Sequence, residues 1–299
     1  MAITLLKFNM NNKQFLLNAI HHKTISHIPT MYRGDPATNQ KLLKYFGLKD
    51  IKKQWKELIK LIGADNFSGG EVLRTFNLYV PKYEGPDFNT IYDPNHFFIW
   101  RIKPVEIKVA GAKEIVFHKN PPLHNMDEAD ELKSFRFPSP DWFDYKVFKI
   151  VSEAIWEDLD DQKEIKADNL SSSEEYFLSL YCINCVFMTS MYIRGFDKMM
   201  MDLVSNKRYA EILIGSIGEV ILEICKRGLK SIGKVIDLYG IWDDFATQDC
   251  LMITADIWRR YYKPWTKKLV DEAKKYELLA CFHGGIDGQK LIPLGTPNG

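Results

Sequence analysis

Hydrophobic positions in the second half of the chain follow two alternating patterns. Short, mostly apolar runs, namely YFLSLYCI, GKVIDLYGIW and LLACFH, are typical of buried β-strands. Between them, longer segments place apolar residues three or four positions apart, as an amphipathic helix requires. Strands alternating with helices of this length predict an α/β fold with a parallel sheet. The clearest helical face, in KRYAEILIGSIGEVILEICKRG, consists of Leu213, Ile217, Val220, Ile221 and Ile224.

A second long helix is predicted over TADIWRRYYKPWTKKLVDEAKKY. Pro264 should kink this helix, because proline has no backbone N–H to donate to the preceding turn. The apolar stripe that would face the core consists of Trp258, Tyr261, Tyr262, Trp265 and Leu269.

The first half of the chain is less regular. NKQFLLNAIHH, NQKLLKYFG and IKKQWKELIKLIG predict helices, and HIPTMYR (27–33) predicts a strand. Residues 65–120 are rich in Gly, Pro, Tyr, Phe and Val, which predicts antiparallel hairpins in an insertion. PSPDWFDY predicts a turn that leads into a helix over 142–159. No linker or internal repeat is seen, so we expect one domain over 1–299.

Composition and charge exclude some classes of function. The chain has 40 Lys and Arg against 39 Asp and Glu, and this near-neutral balance argues against nucleic acid as a partner. The uncharged stretch 176–193 is near the lower limit for a membrane span, but polar residues interrupt it, so a buried strand followed by a helix is favoured. Five irregularly spaced cysteines and no secretion signal predict a reduced, cytoplasmic setting.

The candidate functional residues lie at the ends of predicted strands, since the sequence contains no phosphate-binding loop, dinucleotide motif or nucleophile elbow. Asp243, Asp244 and Gln248 follow the strand KVIDLYG, at the rim where barrel enzymes carry their chemistry. Neighbouring carboxylates can raise each other's pKa or bind a ligand. The structural alternative is a helix N-cap or a loop salt bridge.

Four further residues, in three segments, are candidates on weaker grounds. Arg33 and Asp35, in MYRGDP, could bind a carboxylate and a donor of a ligand, or could pair with each other in a turn. Asp65, in GADNFSGG, lies at another predicted strand end, where a structural loop role is favoured. His283 ends LLACFH and is a candidate metal ligand, a candidate acid or base, or a structural histidine.

Five segments in a fixed order resemble the uroporphyrinogen decarboxylase superfamily, which includes the methylcobamide:coenzyme M methyltransferases. The resemblance covers nearly the whole chain, and it implies a TIM-type (β/α)8 barrel with its site at the C-terminal mouth. The segments are NAIHHKTISHIP, PPLHNMDEADELKSFRFPSPDWFDY, MYIRGFDKMMMDLVSNKRYAEIL, WDDFATQDCLMITADIWRRYYKPWTKKLVDEAKKY and CFHGGIDGQKLIP.

Within the superfamily, the pattern looks closest to the corrinoid-linked branch. MYRGDPATN keeps Arg33 but lacks the extended Arg pattern with which the decarboxylases hold substrate carboxylates. The resemblance therefore implies methyl transfer involving a small methylated compound and a corrinoid carried by a partner protein. The alternatives are a decarboxylase of the uroporphyrinogen type, which needs no cofactor, and an inactive, truncated barrel that serves as a binding partner.

The resemblance also bears on zinc and on the end of the barrel. The branch binds zinc through an H-x-C segment and a later Cys. His283 matches the His, but Gly285 occupies the Cys position, so zinc at His283 is a weak expectation. LLACFH is counted as the sixth strand, and no counterpart of the last two β/α units follows Leu291. We therefore expect an incomplete barrel, whose open edge a homo-oligomer could cover.

The resemblance and the strand ends together assign the predicted site. The catalytic candidates are His283, Asp243 and Asp244, and the substrate-binding candidates are Arg33, Asp35, Asp65 and Gln248.

Overall fold

The computed structural model describes residues 12–30, 32, 36–49, 51–64, 75–88, 97–109, 112–116, 119–151, 163–170, 177–182, 185–247 and 249–284. The strands in these ranges are β1 (Thr75–Tyr83), β2 (Val105–Val109), β3 (Ala112–Val116), β4 (Phe143–Val151), β5 (Lys163–Lys166), β6 (Phe177–Tyr181), β7 (Leu238–Trp242) and β8 (Leu279–His283). The α-helices are α1 (Asn12–Ile20), α2 (Pro36–Phe46), α3 (Ile51–Ile62), α4 (Val186–Arg194), α5 (Phe196–Ser205), α6 (Lys207–Ile232), α7 (Ala255–Ile257) and α8 (Lys263–Lys274).

Six of these strands form one sheet, in the order β5-β4-β1-β6-β7-β8, and β2 and β3 form a separate hairpin. β1, β6, β7 and β8 are parallel neighbours, whereas β4 runs antiparallel to both β1 and β5. The parallel half agrees with the α/β pattern of the sequence. The described strands leave this sheet open, with β5 and β8 at its ends, and the eight-stranded barrel stays a prediction.

The helix predicted over 142–159 is wrong for the residues that the structure describes. Residues Phe143–Val151 form β4 instead, which pairs with β1 on one side and with β5 on the other. The segment FDYKVFKIV begins with apolar and polar residues in alternation and is rich in aromatic and β-branched types, which favours a strand. The local pattern and the pairing with β1 thus both specify a strand for this segment, not the predicted helix.

The hairpin insertion predicted over 65–120 is confirmed only in part. β2 and β3 form an antiparallel hairpin in which Val105 lies opposite Val116. β1, however, lies inside the main sheet between β4 and β6 and is not part of an insertion. The strand predicted over 27–33 is wrong for its described residues, which lie outside every strand, and Ile28 is exposed.

The helices of the second half follow the predicted periodicity. β6 leads into α4, which confirms the strand followed by a helix. In α6, Leu213, Ile217, Ile221 and Ile224 are buried, and Val220 packs against the same core. Among the described helices, none is long and apolar enough to cross a membrane.

The predicted kink at Pro264 takes the form of a change in helix type. α7 passes into a π-helical turn, Trp258–Tyr262, before α8 begins at Lys263. The N–H of Lys263 donates to the carbonyl of Trp258, five residues earlier, and the proline that follows has no N–H to donate. The wider turn keeps the Trp258, Tyr261 and Tyr262 side chains buried in the core.

Candidate functional site

The parallel strands β6, β7 and β8 have two different faces. Side chains alternate along a strand, so the positions of Leu180, Tyr239 and Phe282 lie on one face, against α6 and the aromatic residues that precede α8. We call this the helix face. The positions of Tyr181, Trp242 and His283 lie on the other face. We call it the open face because Cys281 and His283 are exposed on it at the edge strand, while Ser179 and Gly240 on the same face are buried. Both faces end at the carboxyl edge of the sheet.

An aromatic row crosses the open face at this edge. The rings of Tyr181 and Trp242 have centroids 5.0 Å apart and meet at 69°. The Trp242 ring lies 5.7 Å from the His283 ring, with 43° between their planes. Three adjacent strands therefore each supply one ring, and the Tyr181 and Trp242 rings pack edge to face. We call these three residues the aromatic row.

Gly240 makes room for the aromatic row. It lies beside Tyr181 in the register of β6 and β7, and a Cβ atom at this position would lie 2.3 Å from the Tyr181 ring. No side chain fits in that space, so glycine allows the Tyr181 ring to lie across β7 towards Trp242.

Asp243, the first residue after β7, is buried and caps a helix. The backbone N–H groups of Phe187 and Met188 donate to its two carboxylate oxygens, each at 2.9 Å. These donors belong to the first turn of α4, where helix N–H groups lack partners within the helix. Burial raises the pKa of Asp243 to about 8, although the two donated hydrogen bonds act in the opposite direction. The carboxyl group therefore titrates near neutral pH.

Asp244, the next residue, is exposed and pairs with the predicted histidine. Its Oδ1 lies 3.1 Å from Nε2 of His283, and more than half of each side chain is accessible to solvent. The backbone N–H of Asp243 donates to the carbonyl of His283, which fixes the ends of β7 and β8 beside each other. The carboxylate can orient the imidazole. Two neighbouring aspartates thus have different environments.

An open cleft of about 780 Å³ lies beyond α4, and its lining includes Lys119, His124, Phe196 and Asp197. Tyr192 lies between this cleft and the strand ends. Its ring packs 5.9 Å from that of Phe196, and burial, reinforced by the charge of Asp244, raises the pKa of Tyr192 to about 12. Tyr192 thus lies near both the cleft lining and Asp244.

The cysteines do not extend the site. Cys185 and Cys225 are buried, and burial raises the pKa of both thiols, which makes them poor nucleophiles. Cys281 lies on the same face of β8 as His283. In the described part of the chain, no group of three or more His, Cys, Asp and Glu side chains is placed to hold a metal ion. Zinc at His283 stays a prediction.

The structure brings together three of the predicted residues and leaves others undescribed. Asp243, Asp244 and His283 meet at the ends of β7 and β8. Asp243 caps the first turn of α4 from the end of β7, although the N-cap residue of α4 is Cys185, and the alternative of a loop salt bridge describes Asp244. The predicted substrate-binding residues Arg33, Asp35, Asp65 and Gln248, together with Gly285, lie outside the described residues.

The sequence analysis did not identify Tyr181 and Trp242, although Trp242 directly precedes the candidate Asp243. Their signal was available: each is an aromatic residue at the last position of a predicted parallel strand. Side chains at strand ends in α/β folds line the usual ligand crevice.

Comparisons with known proteins add little to this geometry. No family model matches the chain, and the search of curated proteins finds no significant match. Among solved structures, the chain is similar to a methyltransferase from Methanosarcina mazei, with 14% identity and a TM-score of 0.43. That likeness covers 92% of this chain and 69% of the other. At this TM-score it carries no argument, so the argument for function comes from the site.

Proposed function

We propose that this protein is a methyltransferase that transfers a methyl group between a small methylated compound and a corrinoid held by a partner protein. The observation that carries the proposal is the 3.1 Å pair of Asp244 and His283. It lies at the carboxyl edge of a parallel sheet, next to an aromatic row, and such edges are the usual place of α/β active sites. The resemblance of the sequence to the corrinoid-linked branch supplies the reaction class.

Each described residue has a distinct part in this proposal. Asp244 binds the polar end of the methyl donor and orients His283. His283 gives a proton to a departing alkoxide or thiolate, which would otherwise be a poor leaving group. Asp243 acts on the site indirectly: it holds the first turn of α4 against the end of β7. The corrinoid of the partner protein is a co-substrate, and its cobalt exchanges the methyl group with the donor.

The test is a methyl-transfer assay in both directions. Methylcobalamin is incubated with a panel of thiols and amines, and reduced cobalamin with methyl ethers, methyl thioethers and methylated amines. The absorbance spectrum of the corrinoid reports each conversion. We expect turnover with at least one partner compound, and a loss of at least about tenfold in Asp244→Asn, since each 1.4 kcal/mol is a factor of ten. Unchanged spectra in every combination would reject the proposal.

A decarboxylase of the uroporphyrinogen type is the second candidate, and two arginines favour it. Arg101 stacks over Phe135 at 5.0 Å and Arg136 over Trp142 at 5.3 Å. The Arg136 charge also acts on Tyr83, the last residue of β1. Arginines near a strand end could hold substrate carboxylates. Incubation with uroporphyrinogen and a count of the remaining carboxylates by mass spectrometry separates this candidate from methyl transfer.

A further inference from the structure

The edge of the main sheet at β8 is a docking surface with a defined geometry. We propose that two copies of this chain pair through β8, antiparallel and centred on Cys281, so that their two six-stranded sheets join into one. This inference concerns assembly and does not depend on the proposed methyl transfer. It also adds a residue to the candidate site, because each copy places Leu279 beside the partner's His283.

The hydrogen bonds between β7 and β8 show which backbone groups of β8 point away from the sheet. The N–H of Leu279 donates to the carbonyl of Asp237, and the carbonyl of His283 accepts from the N–H of Asp243. In a parallel ladder, residues that bond to one neighbouring strand alternate with residues that face the opposite side. Every second residue from Leu279 to His283 therefore bonds to β7. The two residues that alternate with them face outward, namely Ala280 and Phe282.

The outward groups of β8 are unpaired and fit a second copy of the same strand. In the part of the chain that the structure describes, the backbone N–H and C=O groups of Ala280 and Phe282 make no hydrogen bond. Such an edge is a template for another strand. When two copies of β8 run antiparallel about Cys281, Ala280 of each lies opposite Phe282 of the other, and each pair exchanges two hydrogen bonds. A two-fold axis repeats the pair, so all the outward groups are satisfied.

The same register defines which side chains meet on the open face. Cys281, which is exposed in the single chain, faces the partner's Cys281 in a non-hydrogen-bonded pair, where Cα atoms lie about 4.5 Å apart. His283 lies opposite the partner's Leu279, with about 4.5–5.5 Å between their Cβ atoms. The exposed imidazole thus gains an apolar neighbour beside its contact with Asp244. The two Asp244–His283 pairs of the dimer then share one continuous face.

The two ends of the sheet differ in charge, and this difference indicates which end pairs. β5, at one end, has the sequence KEIK, in which three of four residues are charged. Charges on an edge strand oppose association with a further strand. β8, at the other end, has the sequence LACFH, without Lys, Arg, Asp, Glu or Pro. In the antiparallel pair, no like charges lie opposite each other, so a second copy of β8 meets no repulsion.

The size of the contact sets its expected strength. Two strands of five residues form a small contact beside the about 1,200–2,000 Å² that stable complexes bury. We therefore expect a weak dimer, with a dissociation constant of about 10–100 µM.

The experiment is sedimentation velocity on the full chain under reducing conditions, over about 1–200 µM protein. We expect the average mass to rise with concentration from 34.8 kDa towards twice that value. Cys281→Lys should stay monomeric, because two ammonium groups would lie opposite each other. The matched control Cys250→Lys alters an exposed cysteine away from β8 and should dimerise like the wild type.

A second variant tests the backbone groups. Ala280→Pro removes the outward N–H but none of the donors to β7, and proline is tolerated on an edge strand at such a position. The dimer should weaken at least about tenfold, because each copy loses a hydrogen bond donor at the interface. Circular dichroism and urea unfolding should show that the variant is folded.

Two measurements on the wild type guard against variants that fail to fold. Diamide takes two protons and two electrons from a pair of thiols, and mass spectrometry should find Cys281 joined to Cys281 in preference to Cys250. The amides of Ala280 and Phe282 should exchange with deuterium more slowly at high protein concentration than at low concentration.

Three results would each overturn the inference: a monomer at every concentration, a dimer that Cys281→Lys leaves intact, or slow exchange of both amides in the monomer. A monomer that transfers methyl groups would reject only this inference. A dimer without methyl transfer would reject only the proposed function.

Discussion

The two faces of β6, β7 and β8 share the same backbone but differ in what their side chains do. The helix face carries Leu180, Tyr239 and Ile241, which are all buried in the core. The open face carries Tyr181, Trp242 and His283, which form rings at a partly exposed edge. The alternation of side chains along a strand thus places buried core residues on one side of a short segment and partly exposed rings on the other.

The largest effect should come from the helix face. Ile241→Ala removes a side chain that is only 2% exposed, and the cavity that remains should lower the free energy of unfolding by about 2–4 kcal/mol. Urea unfolding followed by circular dichroism measures this loss. If Ile241→Ala costs less than Tyr181→Ala, the two faces do not divide stability and binding as described.

The pH dependence of stability tests the role of Asp243. Its pKa rises from 3.8 to about 8 on folding, so between these values the folded protein holds a proton that the unfolded chain has lost. The free energy of unfolding should therefore fall as pH rises through this window, by at most about 1.4 kcal/mol per pH unit from this group. Asp243→Asn should remove that slope in urea unfolding between about pH 5 and about pH 7.

The control for this slope is Asp256→Asn, which alters an exposed aspartate paired with Arg259 and should keep the wild-type slope. If Asp243→Asn and the wild type had the same slope, the two hydrogen bonds from α4 would lower the pKa of Asp243 at least as much as burial raises it. Asp243 would then be an ordinary charged helix cap.

A smaller effect is expected at Gly240. Gly240→Ala forces the Tyr181 ring away from β7, at a cost of about 1–3 kcal/mol, as for other overpacked sites. Gly215→Ala is the matched control, because a Cβ there meets nothing within 4 Å. It should be neutral or slightly stabilising in helix α6. Quenching of tryptophan fluorescence should report the altered row in Gly240→Ala, and unaltered quenching would contradict the close approach.

The smallest effect on stability should come from His283. His283→Ala removes an exposed side chain at the last position of β8, so the free energy of unfolding should change by less than about 0.5 kcal/mol. Methyl transfer from ethers, in contrast, should fall by at least about tenfold, because the departing alkoxide loses its proton donor. A large loss of stability with unchanged transfer would assign His283 to structure.

Much of the parallel half could be predicted from the sequence. The hydrophobic periodicity of runs such as LLACFH and of the long apolar face of α6 can be recognised from neighbouring residues alone. The strands and the helix form where this periodicity predicts them. β4 was mispredicted as a helix although the local pattern of FDYKVFKIV favours a strand, and its partner β1 lies more than fifty residues away along the chain.

The site was predictable in position but not in detail. Asp243, Asp244 and His283 were identified from strand ends together with the family resemblance. The different environments of Asp243 and Asp244 depend on α4. The N–H groups of Phe187 and Met188 in this helix donate to Asp243, although they lie 56 and 55 residues from it in sequence. The aromatic row depends on the register between strands, which places Tyr181 beside Gly240 and brings its ring to that of Trp242.

The central claim is that the carboxyl edge of the open face carries the chemistry, and the rate of methyl transfer tests it most directly. The measurement compares the wild type, Asp244→Asn and Asp256→Asn with the same methyl donor and reduced cobalamin. We predict equal rates for the wild type and Asp256→Asn, and a rate at least about tenfold lower for Asp244→Asn, with all three proteins equally folded. Equal rates in all three proteins would contradict the claim.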